Sequence, residues 1–245
     1  MTVAAQTRLL LAGVLAAAAL LPPPSTALAG SFTITPLRAE LSARARTAAL
    51  TVRNEDVSAV VVQATAVLWE QMDGTDALTQ SQDLIVSPAV FTLEPGASQL
   101  LRVALRRNAD PERELSYRLL LEEVPTQAAT GGNGLTVALR LSLPVFVAPI
   151  AAADPRLDWQ ATRSADGTLV VEATNNGNVH VQVREIVLND SGAALLRNAA
   201  AGYVLPGAKR SWNFEAAATT PWQGTRLQAT TDQGNFSTDL PIAGP

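Results

Sequence analysis

The sequence predicts an all-β protein of two tandem β-sandwiches. Three observations predict it: apolar residues recur with a period of two, turn signals separate the alternating runs, and one strand–turn–strand pattern occurs twice. Leu50 and Val52 alternate with polar neighbours, and residues 60–69 are mostly β-branched and apolar. Leu101, Val103 and Leu105 alternate, as do Leu115, Tyr117, Leu119 and Leu121. Successive strand side chains point to opposite faces, so each run offers one face to a core and the other to water. Asp73-Gly74, Glu94-Pro95-Gly96, Gly131-Gly132-Asn133-Gly134, Asp166-Gly167 and Asn176-Gly177 stand between the runs and favour tight reversals. Residues 108–115 and 193–201 admit a helical reading, but both are short and are expected to be loops or single turns.

The repeated pattern divides the chain. Residues 91–103 (FTLEPGASQLLRV) resemble residues 203–214 (YVLPGAKRSWNF), each a strand, a Pro-Gly turn and a second strand. Their offset is about the length of one immunoglobulin-like domain, roughly 100 residues. The Ala- and Pro-rich stretch PIAAADP at 149–155 is the expected linker, which places one immunoglobulin-like domain at 30–149 and another at 150–245.

Residues 1–29 read as an export signal. One early Arg precedes an uncharged apolar run at 9–21, Pro22-Pro23-Pro24 ends it, and Ala27-Leu28-Ala29 is a small-x-small cleavage site. The run is shorter than the roughly 20 residues of a membrane span, so no membrane insertion is expected. The expected location is the periplasm, which suits a chain without cysteine.

Composition narrows the chemistry. With no cysteine and one His, thiolate metal sites, thiol nucleophiles and multi-His metal sites are excluded, and no cofactor is expected. The net charge is −4, so no basic field points to nucleic acid. Glu122 and Glu123 are adjacent in a strand and face opposite sides, so they are not an acid–base pair. The Gly131–Gly134 run lacks the following helix and Lys-Ser/Thr of a phosphate loop. His180, within the alternating Asn-Val-His-Val-Gln-Val run, is expected to be an ordinary strand residue without chemistry.

The strand at 135–147 (LTVALRLSLPVFV) is unusual. Leu135, Val137, Leu139, Leu141, Leu143, Val145 and Val147 hold successive odd positions, over more than the usual five or six residues. Its odd row can line a core, but its length suggests that it also serves a partner. Pro144 lacks an N–H, so one side of the strand is unpaired there. An open aliphatic edge invites strand addition.

These residues resemble the periplasmic pilus chaperones of chaperone–usher systems. The resemblance rests on Pro36-Leu37-Arg38-Ala39, on Phe91-x-Leu93-Glu94-Pro95-Gly96 with Gln99 and Arg102, and on Glu114-x-x-Tyr117 before Glu123-Val124-Pro125. The strand at 135–147, Asn175-Asn176-Gly177-Asn178 and Asp232-x-Gly234 complete it. It implies a boomerang of two immunoglobulin-like domains that lends its long strand to an incomplete pilus or fimbrial subunit and passes it to an outer-membrane usher. Strand addition takes affinity from main-chain bonds and specificity from alternate side chains, and Leu135, Val137, Leu139 and Leu141 are the expected subunit-binding row. The resemblance also implies a cationic anchor for the subunit's terminal carboxylate. Arg38 matches one anchor position, whereas Pro144 stands where a Lys is usual. Arg118, expected on the strand paired with the long one, is the replacement cation, and Arg140 is the weaker candidate. The family's interdomain charge cluster has Glu114 and Asp232, but Ala148 stands in place of its Arg. These departures place the chain nearer the spore-coat-like or archaic branch, with spore-coat-like subunits as possible cargo. A secreted two-domain adhesin or carbohydrate-binding module is the alternative, disfavoured by an aromatic content of 4%.

Overall fold

In a computed structural model of the chain, residues 32–125, 138–189, 195–199, 202–215 and 225–243 are described. The expected export signal, Leu135 and Val137 lie outside them. Every regular element among the described residues is a strand, as the period of two requires.

The first half contains β1 (Phe32–Thr35), β2 (Ala39–Leu41), β3 (Thr47–Asn54), β4 (Val60–Met72), β5 (Thr75–Gln80), β6 (Leu84–Ser87), β7 (Val90–Leu93), β8 (Ser98–Leu105), β9 (Leu115–Val124) and β10 (Arg140–Val147). One sheet runs β1-β3-β8-β6; the facing sheet runs β2-β10-β9-β4-β5, with β7 also on β4. Between them lies a core containing Leu50, Val52, Leu101, Val103, Tyr117, Leu119 and Val145. The chain changes sheet at Pro36-Leu37-Arg38, between β1 and β2.

The second half contains β11 (Leu157–Arg163), β12 (Leu169–Asn175), β13 (Val181–Asn189), β14 (Leu195–Asn198), β15 (Gly202–Val204), β16 (Lys209–Phe214), β17 (Arg226–Thr231), β18 (Gly234–Asp239) and β19 (Ile242–Ala243). Its sheets are β16-β12-β11-β19 and β14-β13-β17-β18, with β15 also on β13. A second core, including Leu169, Val171, Ile186, Leu188 and Leu227, fills the space between them. The stretch at 193–201, expected to be a loop or turn, contains β14. This strand owes its existence to the ladder it makes with β13, from Ile186 opposite Asn198 to Asn189 opposite Leu195.

The sequence repeat is a structural one. Asn54 and Asn175, both fully buried, organise the same corner in each half. The Asn54 Nδ2 donates to the carbonyls of Ser58 (2.8 Å) and Leu93 (3.1 Å), and that of Asn175 to Val179 and Val204 (2.8 Å each). The N–H of Gly96 donates to the Asn54 carbonyl and that of Gly207 to the Asn175 carbonyl. Both glycines lie in the left-handed region, at φ 72° and 74°, where a side chain would be strained.

Candidate functional site

The β10 strand is shorter in regular structure than the expected 135–147 span, running Arg140–Val147, though the N–H of Glu123 still reaches the Leu139 carbonyl at 2.9 Å. That bond fixes the phase of the ladder with β9: odd residues of β10 turn their backbone groups toward β9 and even residues turn theirs away. On the far side, β2 covers only Val145 to Val147. Among the described residues the backbone edge at 140–144 is therefore open, and there Pro144 lacks a donor. The odd side chains change role along the strand. Leu143, Val145 and Val147 are buried in the first core, Leu141 packs partly against it, and Leu139 is half-buried.

Arg118, Pro144 and Arg38 share one neighbourhood. On β9, Tyr117, Leu119 and Leu121 face the core, so Ser116, Arg118 and Leu120 face outward. Arg118 stands opposite Pro144 on one side and Val67 on the other. Ala39 is opposite Val145, so Arg38 comes one step earlier, flanking Pro144 from the other side. The Arg118 guanidinium lies 3.6 Å from the Trp69 ring centroid and 5.6 Å from that of Tyr203, a stacking arrangement suited to its planar cation. Burial lowers the Arg118 pKa, Asp76 opposes this and the charge of Arg210 adds to it. Arg118 makes no ion pair among the described residues, whereas Arg140 pairs with Glu122 at 3.0 Å. Arg38 pairs with Glu40 at 2.9 Å and Asp232 at 3.3 Å.

A small aromatic cluster packs the second sandwich against this outer face: Trp69, Phe146, Leu205 and Ala208, joined by Tyr203. Tyr203 meets Trp69 edge-on at 5.5 Å. Burial raises the Tyr203 pKa, against the opposing charges of Arg38 and Arg118, so the phenol stays neutral at physiological pH.

His180 corrects the expectation of a strand residue without chemistry. It is buried, and its Nδ1 lies 2.8 Å from Glu114 Oε1 and its Nε2 3.5 Å from Asp232 Oδ2. Its backbone N–H also donates to Glu114 Oε1, at 3.1 Å. Its ring stacks on Phe146, with centroids 3.5 Å apart and planes inclined by 9°. The charge cluster that lacks an Arg at Ala148 thus holds an imidazole between its two carboxylates. The signal was in the sequence: Glu114 and Asp232 without an evident cation, in a chain with one His. Tyr117, three residues beyond Glu114, turns inward, and its hydroxyl donates to Asp83 at 2.9 Å.

Two sandwiches, an open edge on β10 and a cationic neighbourhood beside it define the class: a β-sandwich protein with a strand edge free for pairing among the described residues. Residues 31–153 match the family described as pili and flagellar-assembly chaperone, PapD N-terminal domain, and the chain belongs to that family. It is 34% identical over 73 residues to the chaperone protein FaeE of Escherichia coli, a match spanning 29% of this chain and 28% of FaeE. Among solved structures it is similar to the CsuC–CsuE chaperone–tip adhesion subunit pre-assembly complex from archaic chaperone–usher Csu pili of Acinetobacter baumannii. That likeness has a TM-score of 0.65 at 21% identity and covers 87% of this chain and 99% of that one. The Salmonella enterica SafA pilin in complex with the SafB chaperone gives a TM-score of 0.62 at 18% identity, covering 88% and 99%.

Proposed function

We propose that this chain is a periplasmic assembly chaperone that stabilises pilus-type subunits by lending the open edge of β10, then delivers them to an outer-membrane usher. The edge at 140–144 carries this reading, because unpaired backbone groups are a template for strand addition. Leu139 and Leu141, with Leu135 and Val137 ahead of them, are the side chains offered to the subunit. Burying each is worth roughly 1.5–3 kcal/mol. Arg118 and Arg38, flanking Pro144, hold the subunit's terminal carboxylate in place of a Lys. Arg118 is the better placed of the two, because among the described residues no carboxylate forms an ion pair with it, whereas Arg38 is already engaged by Asp232 and Glu40. The CsuC–CsuE and SafA–SafB structures are complexes with a tip adhesion subunit and a pilin, which favours the same cargo class here. The division into domains at 149–150 and removal of residues 1–29 on export belong to this reading.

The test uses a labelled peptide of alternating aliphatic sequence, with either a free or an amidated C-terminus. The free carboxylate should bind and the amide should bind much more weakly. Arg118→Ala should cost the free peptide about 2–5 kcal/mol, the range for truncating one partner of a desolvated charge pair. Equal binding of both peptides would remove the carboxylate anchor, and no binding of either would remove strand lending.

A further inference from the structure

Groups from four separate stretches of chain converge on His180. Glu114 precedes β9, Asp232 lies in the turn between β17 and β18, Arg38 precedes β2 and reaches Asp232, and Tyr203 sits on β15 with its ring centroid 5.7 Å from the imidazole. The charges of Arg118 and Arg184 act on Tyr203. A neutral imidazole has one N–H and one lone pair, so one of its nitrogens would point a lone pair at a carboxylate oxygen. The imidazolium alone presents a proton to both. The 3.5 Å separation on the Asp232 side exceeds a well-formed hydrogen bond, so attraction there is mainly between charges. Phe146, stacked on the ring, offers the face of a π-system to that cation. Asp232 is held at both oxygens: Oδ1 accepts the N–H of Gln182 at 2.8 Å, and Oδ2 faces both His180 and Arg38.

We infer that His180, as the imidazolium, is a positioning residue that clamps the second sandwich to the first and, through Asp232, sets the place of Arg38 beside Pro144. The clamp stands on its own geometry, while its effect on carboxylate capture rests on the function proposed above. Burial alone lowers the His180 pKa, but the Asp232 carboxylate beside Nε2 and the Glu114 carboxylate hydrogen-bonded at Nδ1 outweigh it, and the net shift is upward. A raised folded-state pKa means that the clamp's stabilisation is complete below the unfolded value of about 6.5. It is lost as pH rises through the folded value. The contact is therefore sensitive to alkali and resistant to mild acid.

The chain has a single His, so its imidazole signals in nuclear magnetic resonance need no assignment. In the intact chain the titration midpoint should lie above about 6.5, with both ring nitrogens protonated below it. A midpoint at or below that value overturns the clamp. Asp232→Asn should lower the midpoint, and an unchanged midpoint overturns the charge link even if His180→Gln does not fold. The free-carboxylate peptide should bind wild type roughly tenfold more weakly above the midpoint, within the range of coupling in one network. His180→Gln should bind with no such step. The same step in both proteins overturns the positioning role. A raised midpoint in a chain that binds neither peptide at any pH keeps the clamp and removes the anchor reading.

Discussion

The two Asn corners share one frame of bonds in the two sandwiches, yet the residue five positions after each Asn has a different fate. In the first half it is Ala59, exposed to water; in the second it is His180, buried against Glu114, Asp232 and Phe146. The side-chain oxygens repeat as well: Asn54 Oδ1 accepts from the N–H two residues on, that of Asp56, and Asn175 Oδ1 from Gly177, both at 2.9 Å, while Asn54 Nδ2 adds a longer contact to the Glu94 carbonyl at 3.4 Å. A frame used twice does not dictate what stands on it. Glu114 and Phe146 come from the other sandwich, so the environment of His180 is a property of the pair of sandwiches and not of its own fold.

The largest expected effect breaks that asymmetry. His180→Ala should destabilise the chain by about 3–5 kcal/mol in urea unfolding, because two buried carboxylates lose the cation between them. Ala59→His, at the matching exposed position, should change stability by less than about 0.5 kcal/mol. Next comes the contrast along β10. Leu143→Ala should cost about 2–5 kcal/mol as a core truncation, whereas Leu139→Ala should cost well under half of that, since Leu139 is half-buried. Equal costs would assign the whole odd row to the chain's own core. Asn54→Ala and Asn175→Ala should each cost about 1–3 kcal/mol by leaving buried carbonyls without donors. The double mutant should show nearly the sum if the corners are independent. Arg140→Ala should be the smallest, within about 1 kcal/mol, because Arg140 is exposed, Glu122 is only half-buried, and water screens the pair.

The strands were readable because their signal is local. Alternation at Leu101-Val103-Leu105 or Tyr117-Leu119-Leu121 needs no distant partner to declare a buried face. The Pro-Gly repeat was readable for the same reason, since Gly96 and Gly207 occupy a backbone region that favours glycine. β14 was not, because Leu-Leu-Arg-Asn has no alternation and becomes a strand only when β13 supplies the other side of the ladder. Arg118 opposite Pro144 could be foreseen, because antiparallel pairing carries register from a hairpin into space. His180 could not be read from the valines on either side of it. Its hydrogen-bonding partner Glu114 is 66 residues away in sequence, and a pattern of period two says only which face a residue occupies, not what will come to lie against it.

The missing donor at Pro144 has a consequence for concentrated protein. Two copies brought edge to edge at 140–144 would form a ladder interrupted at Pro144, while β2 already caps the edge beyond it. Self-association through β10 is left with two donors, those of Arg140 and Ser142, on a stretch of a few residues. A partner whose chain continues past Pro144 meets Arg38 and Arg118 there, whereas a second copy meets the same cations with cations of its own. The proline thus sorts guests from siblings along the open stretch of β10.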